Sequence, residues 1–422
     1  ISMCGVRYWI KTGSGEATLC ESLRIGPRSI DFTNMAPDVL TLVQHRKSDG
    51  TWMGNFAHDR TVRFYREDPD SAELSQVFCG RVLAPETVSA GGGDKRIVRV
   101  AGVLQAFAEY KFVRGSWDGW LKAGSTRYTV YDSNFYNSPV VGLFYGNEWR
   151  EMINGYYFKY VGQQTIPAAF QELIDYVVAR VSEDDLGEVW SPDLVSNYFG
   201  PSPLTPKPAW EENVSCDEWL VKVLRPQVDA FVSVDYSGDR PALRAGRYRD
   251  EPVVELPERG WPLMETRTRR RYDQEAKGIA VAMSLGRSDA VTGFTSVSPI
   301  TEQPSGKRFI DRRTVALISS DTPSGVPSVY GPILADSLIR PLVEADITLH
   351  GDAWQWCRPG TVIKLAEGGD RMNVQTASWD LTTDTVTART GAPRQLGIGD
   401  LESLSTWLWR NVRGISSAST PS

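Results

Sequence analysis

RPGTVIKLAEGGDRMNVQTASWDLTTDTVTARTGAP, the sequence from Arg358 to Pro393, contains three short runs with strand character. Its opening Arg-Pro-Gly predicts a turn, because proline fixes φ near −65° and glycine takes φ values that other residues avoid. The runs are Thr361–Leu365, Met372–Asp380 and Thr385–Thr390, and the two connections between them are short and rich in turn-forming residues. We therefore predict a three-stranded antiparallel meander joined by hairpin turns.

The composition is that of a globular protein of several domains. A length of 422 residues predicts two to four domains, and 41% hydrophobic with 23% charged residues is ordinary for such proteins. The net charge of −6 is small for this length. It argues against a dedicated nucleic-acid binder, which would carry a basic stripe.

The cysteines and the apolar runs restrict the function further. Five cysteines are scattered along the chain without CxxC spacing, which favours free thiols over a disulfide framework or a zinc site. We predict neither a metal nor another cofactor. The residues shown contain no apolar run of 18 residues and no signal-peptide pattern, so we expect no membrane span.

Residues 1–110 carry the pattern of a small antiparallel β-barrel or sandwich. Short runs with alternating apolar residues occur at 39–43, 61–65, 76–82 and 95–103. The glycines at 91–93 lack the GxxxxGK[ST] spacing of a phosphate loop, so we interpret them as a hairpin tip.

Residues 111–198 form an aromatic-rich insertion that also contains an amphipathic helix within 166–181. Its aromatic side chains have two interpretations: they belong to the core and a subunit interface, or they stack on sugars and bind glycan. The candidates for either role are Trp117, Trp120, Trp149, Tyr156 and Tyr157.

Residues 199–260 begin with a proline-rich, stiff linker and continue as a helix-plus-hairpin unit. Ser215 and Glu218 have the S-x-x-E spacing of a capping box, which starts a helix. The runs at 231–236 and 242–248 then predict two strands around the turn Ser237-Gly238-Asp239.

Residues 261–398 are predicted to form a second β-barrel-like domain, which ends in the meander, and residues 399–422 a helix with a disordered tail. The basic run at 266–272 is isolated in an acidic protein, which favours a solvated strand face or a subunit salt-bridge site over a nucleic-acid site. The fold class is therefore mainly β with an α+β insertion: two small antiparallel β-barrel-like domains separated by a helix-plus-hairpin region.

This order of parts resembles the central tail hub (baseplate hub) proteins of bacteriophage tails, which are related in fold to the hub part of VgrG spike proteins. Three stretches carry the resemblance: TLVQHRKSDG…DRTVRFYRED…SQVFCGRV in the first β domain, SCDEWLVKVLRPQVDAFVSVDYSGDRPALRAG in the helix-plus-hairpin unit, and the meander. The aromatic insertion has no counterpart in it.

The resemblance implies a structural virion protein. It implies a homotrimer in which each chain supplies two β domains, so that six surround a channel through which DNA passes without specific binding. One side of this ring would meet the hexameric tail tube or a distal tail protein, and the other the threefold tail tip or fibre proteins. It also implies a location in the virion tail after synthesis in the host cytoplasm.

The sequence gives little support for catalysis. Its three histidines are far apart, and neither HExxH nor a GxSxG elbow is present, so we predict that the chain is not an enzyme and has no catalytic residues. The alternative is a tail-tip protein that binds host glycan, with or without glycoside hydrolase activity. Glycoside cleavage needs two carboxylates in a cleft, and the set to test is Asp118, Asp132, Glu148 and Glu151.

Overall fold

The architecture comes from a computed structural model, and every structural statement concerns the residues that it describes. These are residues 6–90, 93–110, 120–122, 127–128, 148–153, 156–160, 174, 177, 193–197, 215–218, 220, 230–238, 240–257, 260–270, 278–283, 293–297, 314–318, 343–365 and 370–391. The predicted linker, the C-terminal segment 399–422 and Trp117 lie outside them.

The described chain consists mainly of β-strands, which confirms the predicted fold class. In chain order the strands are β1 (Tyr8–Thr12), β2 (Thr18–Leu19), β3 (Ile25–Thr33), β4 (Val39–His45), β5 (Thr61–Glu67), β6 (Leu74–Val82), β7 (Glu86–Ala90), β8 (Gly93–Ala101), β9 (Trp120–Lys122), β10 (Arg127–Tyr128), β11 (Glu148–Ile153), β12 (Tyr156–Tyr160), β13 (Asp193–Asn197), β14 (Ala230–Asp235), β15 (Ala242–Arg247), β16 (Val253–Leu256), β17 (Leu263–Arg270), β18 (Gly278–Met283), β19 (Gly293–Val297), β20 (Thr314–Ile318), β21 (Val343–His350), β22 (Val362–Leu365), β23 (Arg371–Asp380) and β24 (Thr385–Thr390). The α-helix with described bounds is α1 (Leu104–Glu109), residues 174, 177, 216–218 and 220 are also helical, and short 3-10 helices span Cys20–Leu23, Tyr248–Asp250 and Gly351–Gln355.

One 14-stranded sheet dominates the fold. Its main path runs β17-β21-β24-β23-β3-β4-β8-β6-β5-β1-β2, with β7 paired to β8, β22 paired to β23, and β16 paired to β22. The path has free ends at β17 and β2, so the described strands do not close into a barrel. The predicted meander is confirmed, because β22, β23 and β24 pair antiparallel in sequence order.

The pairing of β3 with β23, which we call the seam, joins strands from the two predicted β domains. Residues Ser29–Thr33 lie antiparallel to Thr376–Asp380, with Trp379 opposite Ile30 and Ala377 opposite Phe32. Each side of the seam continues into a strand that follows directly in sequence, β4 on one side and β24 on the other. The two halves therefore share one hydrogen-bonded sheet, and the predicted domain boundaries stay a prediction.

The core lies on one face of this sheet and is organised around Trp379, whose side chain is fully buried. Trp354 stacks on its indole with ring centroids 5.2 Å apart, and Tyr8 meets it edge-on at 6.2 Å. Tyr8 also stacks on Phe64 at 5.3 Å. Because Tyr8 and Phe64 belong to β1 and β5, the sheet must curve until its first strands pack over the seam.

Three smaller sheets occur besides the main one, with strand orders β10-β9-β12-β11, β13-β15-β14 and β19-β18-β20. The predicted hairpin of the helix-plus-hairpin unit is confirmed as β14 and β15. The strands β7 and β8 pair antiparallel on either side of the predicted glycine-rich tip, of which residues 91 and 92 lie outside the described residues. Glu218 accepts a hydrogen bond from the backbone N–H of Ser215 at 3.4 Å, as a capping box requires. In the described part of the chain, no helix is both long and apolar enough to cross a membrane.

Candidate functional site

The outward side of the sheet carries a continuous set of hydroxyl side chains across the seam. Side chains alternate between the two sides of a strand, so the neighbours of each buried residue face outward. Eight of the outward residues are half-buried and carry a hydroxyl group: Ser29, Thr33, Thr41, Thr348, Thr376, Ser378, Thr385 and Thr387. We call this set the hydroxyl face; it spans β21, β24, β23, β3 and β4.

Carboxylates on the hydroxyl face have hydrogen-bond or ion-pair partners. Asp31 accepts hydrogen bonds from the hydroxyls of Ser378 at 2.5 Å and Ser29 at 3.2 Å. Towards β17, Asp346 lies 3.2 Å from the guanidinium of Arg389. The middle of the face is thus polar while its charges are compensated locally.

On the other side, the hairpin β14–β15 and the 3-10 turn Tyr248–Asp250 lie across the seam; we call these elements the clamp. Asn34, in the turn between β3 and β4, makes the first set of contacts. Its Oδ1 accepts from the backbone N–H of Val232 at 2.9 Å, and its Nδ2 donates to Oε1 of Gln375 at 3.0 Å. One amide therefore connects the clamp to both sides of the seam.

Asp38 and Tyr236 make the second connection. The phenol Oη of Tyr236 donates to Oδ2 of Asp38 at 2.8 Å, and the backbone N–H of Thr33 donates to Oδ1 at 3.0 Å. Both side chains are buried. Burial raises the pKa of Asp38 to about 7, although the hydrogen bonds from Thr33 and Tyr236 oppose it. Burial also raises the pKa of Tyr236 well above its usual value, so the phenol keeps its proton as a donor.

The close approach of Tyr236 requires a glycine opposite it. A Cβ built at Gly102 would lie 2.2 Å from the Tyr236 hydroxyl oxygen, so no larger residue fits there while the hydroxyl keeps its position. The ring of Tyr236 packs 4.8 Å from that of Phe78 on β6, and the amide of Gln76 donates to its backbone carbonyl at 2.8 Å. The end of β14 is therefore fixed to the first half of the chain.

Arg358 makes the third connection, at the turn that opens the meander. Its guanidinium lies 5.2 Å from the ring of Phe32 and 5.7 Å from that of Trp354. It donates to the backbone carbonyl of Val234 at 3.3 Å and lies 3.9 Å from Oδ1 of Asp235. Burial lowers the pKa of Arg358, while the carboxylates of Asp235 and then Asp38 oppose that shift.

Tyr248 fastens the other end of the clamp to the second half. Its hydroxyl donates to the carbonyl of Val374 on β23 at 2.5 Å and accepts from the N–H of Gly360 at 3.4 Å. Gly360 has φ +98°, and a Cβ there would lie 2.5 Å from the ring of Phe231. The proline-glycine turn predicted from the sequence therefore needs glycine for both its backbone and its packing.

A cleft of about 310 Å³ lies between the clamp and this turn. Arg244 and Glu251 on its rim form an ion pair, and Trp356 and Thr361 line its other side. Arg244 and Glu251 thus compensate each other's charge at the cleft. In the part of the chain that the structure describes, no group of His, Cys, Asp and Glu side chains could hold a metal ion.

The cysteines in the described ranges are buried thiols outside any disulfide: Cys20, Cys79, Cys216 and Cys357. Burial raises the pKa of the Cys79 thiol to about 11 and that of Cys357 to about 12. Thiolates are the reactive form, so neither thiol is activated as a nucleophile.

Four of the five predicted aromatic candidates lie on the sheet β10-β9-β12-β11, which is separate from the main sheet. Trp120 lies on β9, Trp149 on β11, and Tyr156 and Tyr157 on β12. Since β12 pairs with both β9 and β11, the fold brings these stretches together. Trp117 lies outside the described residues. Of the four candidate carboxylates, Glu148 and Glu151 lie on β11, and Asp118 and Asp132 lie outside the described residues.

The residues that connect the clamp to the seam were not predicted as a functional group: Asn34, Asp38, Tyr236 and Tyr248. Each is a single polar residue at the end of a strand or in a turn, where such residues are common. Arg358 belonged to a predicted turn, but no sequence pattern indicated that its side chain would be buried between two halves of the chain.

Comparison with known proteins places this architecture. No protein-family model matches the sequence, and no curated protein matches it significantly. The solved structures do match. The prophage MuSo2 43 kDa tail protein from Shewanella oneidensis is similar with a TM-score of 0.53 and 12% identity, over 92% of this chain and 98% of that one.

A tail protein from Neisseria meningitidis MC58 is similar with a TM-score of 0.50 and 10% identity, over 94% of this chain and 99% of that one. A component of the type VI secretion system from E. coli matches at a TM-score of 0.43 and 8% identity, over 92% of this chain and 77% of that one. The chain therefore has the fold of phage tail proteins, and the fold expected from its sequence resemblance is confirmed.

Proposed function

We propose that the chain is a structural, non-enzymatic hub protein of a phage tail. Three copies would form a ring with pseudo-sixfold symmetry that joins the hexameric tail tube to the threefold tail tip. The observation that carries the proposal is the seam: one chain contributes two sets of strands to one sheet, each with a hairpin beginning at the seam. A threefold ring of such chains presents six sets of strands.

The hydroxyl face suits the wall of a channel for DNA. Duplex DNA binds proteins chiefly through Lys and Arg contacts to its phosphates, which release counterions. The middle of this face offers hydroxyl groups instead, and Arg389 towards its edge is paired with Asp346. A surface whose middle offers hydroxyl groups in place of cations would let DNA slide past without holding it.

The clamp suits the need for a rigid ring. A ring that matches a hexameric tube must keep the two halves of each chain at fixed relative positions. Asn34, Tyr236 and Arg358 each connect elements that are distant in sequence, so their bonds are satisfied together in one arrangement of the halves.

For the sheet β10-β9-β12-β11, we propose a role in subunit or tail contacts. The segment contains Trp120, Trp149, Tyr156 and Tyr157, and such residues are enriched at permanent interfaces. Glycan binding by the same residues is the competing role. A glycan array tests this role. Binding of the wild-type chain to an immobilised glycan, lost in Trp120→Ala, would favour recognition of host sugars over a role in assembly.

The experiment that tests the hub is the mass of the purified chain in solution, measured by light scattering at several concentrations and with the tail tube protein added. We expect a species of about 140 kDa, three times the 46.9 kDa of one chain, and a ring with threefold symmetry in electron micrographs. A chain that stays monomeric at every concentration, also on the tube, contradicts the proposal.

A further inference from the structure

Two segments of the described chain are exposed along their whole length, and they carry opposite charge. The first is the turn between β5 and β6, where every residue from 68 to 75 is exposed. It contains Asp68, Asp70 and Glu73, followed by Leu74, whose side chain is unusually exposed for its type at 41%. The turn is ordered, because Oδ1 of Asp68 accepts from the N–H of Asp70 at 2.7 Å.

The second segment is the edge strand β17, where every residue from 264 to 269 is exposed. Among the described strands β17 pairs only with β21, so it is an edge strand of the described sheet. Exposure of consecutive residues means that both faces of the strand are uncovered. Its side chains include Arg267 and Arg269, and Met264 is 51% exposed.

Trp261, just before β17, is the most exposed large hydrophobic side chain in the described residues, at 63%. Its indole stacks on the imidazole of His350 with ring centroids 4.3 Å apart. The ring is therefore held in place while most of its surface faces outward. A side chain that is already ordered loses little entropy on binding, which makes it a suitable anchor for a contact.

We propose that β17 and Trp261 of one copy of this chain bind the 68–75 turn of the next copy, and we call this the turn–edge contact. Arg267 and Arg269 would face Asp70 and Glu73, while the apolar side chains of the two segments pack together. The two segments differ, so the contact is head-to-tail, and such contacts form a ring when the rotation between neighbouring copies closes. This inference rests on the homo-oligomer of the proposed function and names the surfaces that form it.

Charge and hydrophobicity together favour a second copy over nucleic acid as the occupant of β17. Trp261 and Met264 flank the arginines with apolar surface, which suits a protein partner. The chain itself supplies a complementary segment, the exposed 68–75 turn, which carries acidic residues and Leu74. Among the ion pairs of the described residues, none joins this turn to β17 within one copy.

The test uses charge reversal in the full chain, read out by light scattering and sedimentation. Reversal of the turn, Asp70→Arg with Glu73→Arg, and reversal of the edge, Arg267→Glu with Arg269→Glu, should each weaken self-association at least about tenfold. The chain with all four changes keeps the wild-type net charge and should recover assembly, because the complementary signs are restored. Glu21→Lys, an exposed residue outside both segments, is the control and should assemble normally.

A second variant tests the apolar part of the contact. Trp261→Ala removes an exposed side chain, so the fold should be kept, and self-association should weaken at least about tenfold. Assembly of all these variants at wild-type strength would overturn the turn–edge contact and leave the trimeric hub standing. A failure of the fourfold variant to recover would overturn the charge pairing, and a monomeric wild-type chain would overturn the oligomer itself.

Discussion

Asp38→Asn should remove a large pH dependence from the stability of this protein. The wild-type carboxyl is buried, and its pKa is raised from 3.8 to about 7. The unfolded chain exposes Asp38, which then titrates near its ordinary pKa of about 3.9. Between these two values the folded state holds a proton that the unfolded state has lost, so the free energy of unfolding falls as the pH rises from about 4 to about 7.

The size of the effect follows from the two pKa values. A difference of about 3 pH units, at about 1.4 kcal/mol per unit, gives about 4 kcal/mol lost across that range. Above about pH 7 both states are ionised and the loss levels off. Asparagine does not titrate. The free energy of unfolding of the variant should therefore rise by about 3 kcal/mol relative to that of the wild type between about pH 5 and about pH 8.

Urea unfolding followed by near-ultraviolet circular dichroism measures this difference at each pH. Asp49→Asn is the control. The hydrogen bonds from Thr51 lower the pKa of this exposed carboxyl, so its contribution to stability changes only in acid. The free energy of unfolding of Asp49→Asn should therefore change with pH as that of the wild type does from about pH 5 to about pH 8. If the free energy of unfolding of Asp38→Asn also changed with pH as that of the wild type does, the raised pKa of the buried Asp38 carboxyl would be refuted.

Three further experiments test the clamp and the core. Gly360→Ala places a Cβ against the ring of Phe231 at a φ of +98° and should destabilise the fold by about 3 kcal/mol or more, whereas Gly260→Ala, at +93° with open space around it, should cost only about 1 kcal/mol in the same urea assay. Tyr248→Phe leaves two backbone groups without the hydroxyl and should lower the free energy of unfolding by about 1–3 kcal/mol. The thiol of Cys357 should react with a thiol reagent only after denaturant is added, as a colorimetric time course would show.

Local features of the fold could be predicted because their causes are local. The meander follows from Pro359-Gly360 and from two short connections of turn-forming residues, and all three strands lie where these signals place them. The hairpin β14–β15 follows in the same way from a turn between two alternating runs. The strand β3 was missed because Pro27 interrupts its pattern, and the structure accommodates that proline beside an irregularity of the register.

The seam could not be predicted, because its partners are far apart in sequence. Ser378 and Asp31, which meet there, are 347 positions apart. Many strands of similar composition compete for such a pairing, and no local signal selects one of them. The contacts of the clamp could not be predicted for the same reason. Asp38 follows a proline and has the pattern of a turn residue, and only the folded chain brings Tyr236 to it.

The polar character of the clamp has a consequence for the sheet as a whole. Buried polar and charged groups seldom add stability over well-packed apolar ones, but their bonds are satisfied in only one arrangement. At the seam, a slip of one residue would exchange the two sides of a strand. Trp379 would then turn outward and Ser378 into the core, so the hydroxyl face would be broken. Asn34 bonds to Gln375 on β23 and to Val232 on β14, and the two bonds could not both form in that register. We infer that the clamp fixes the register of the seam, and through it which side of the sheet is polar.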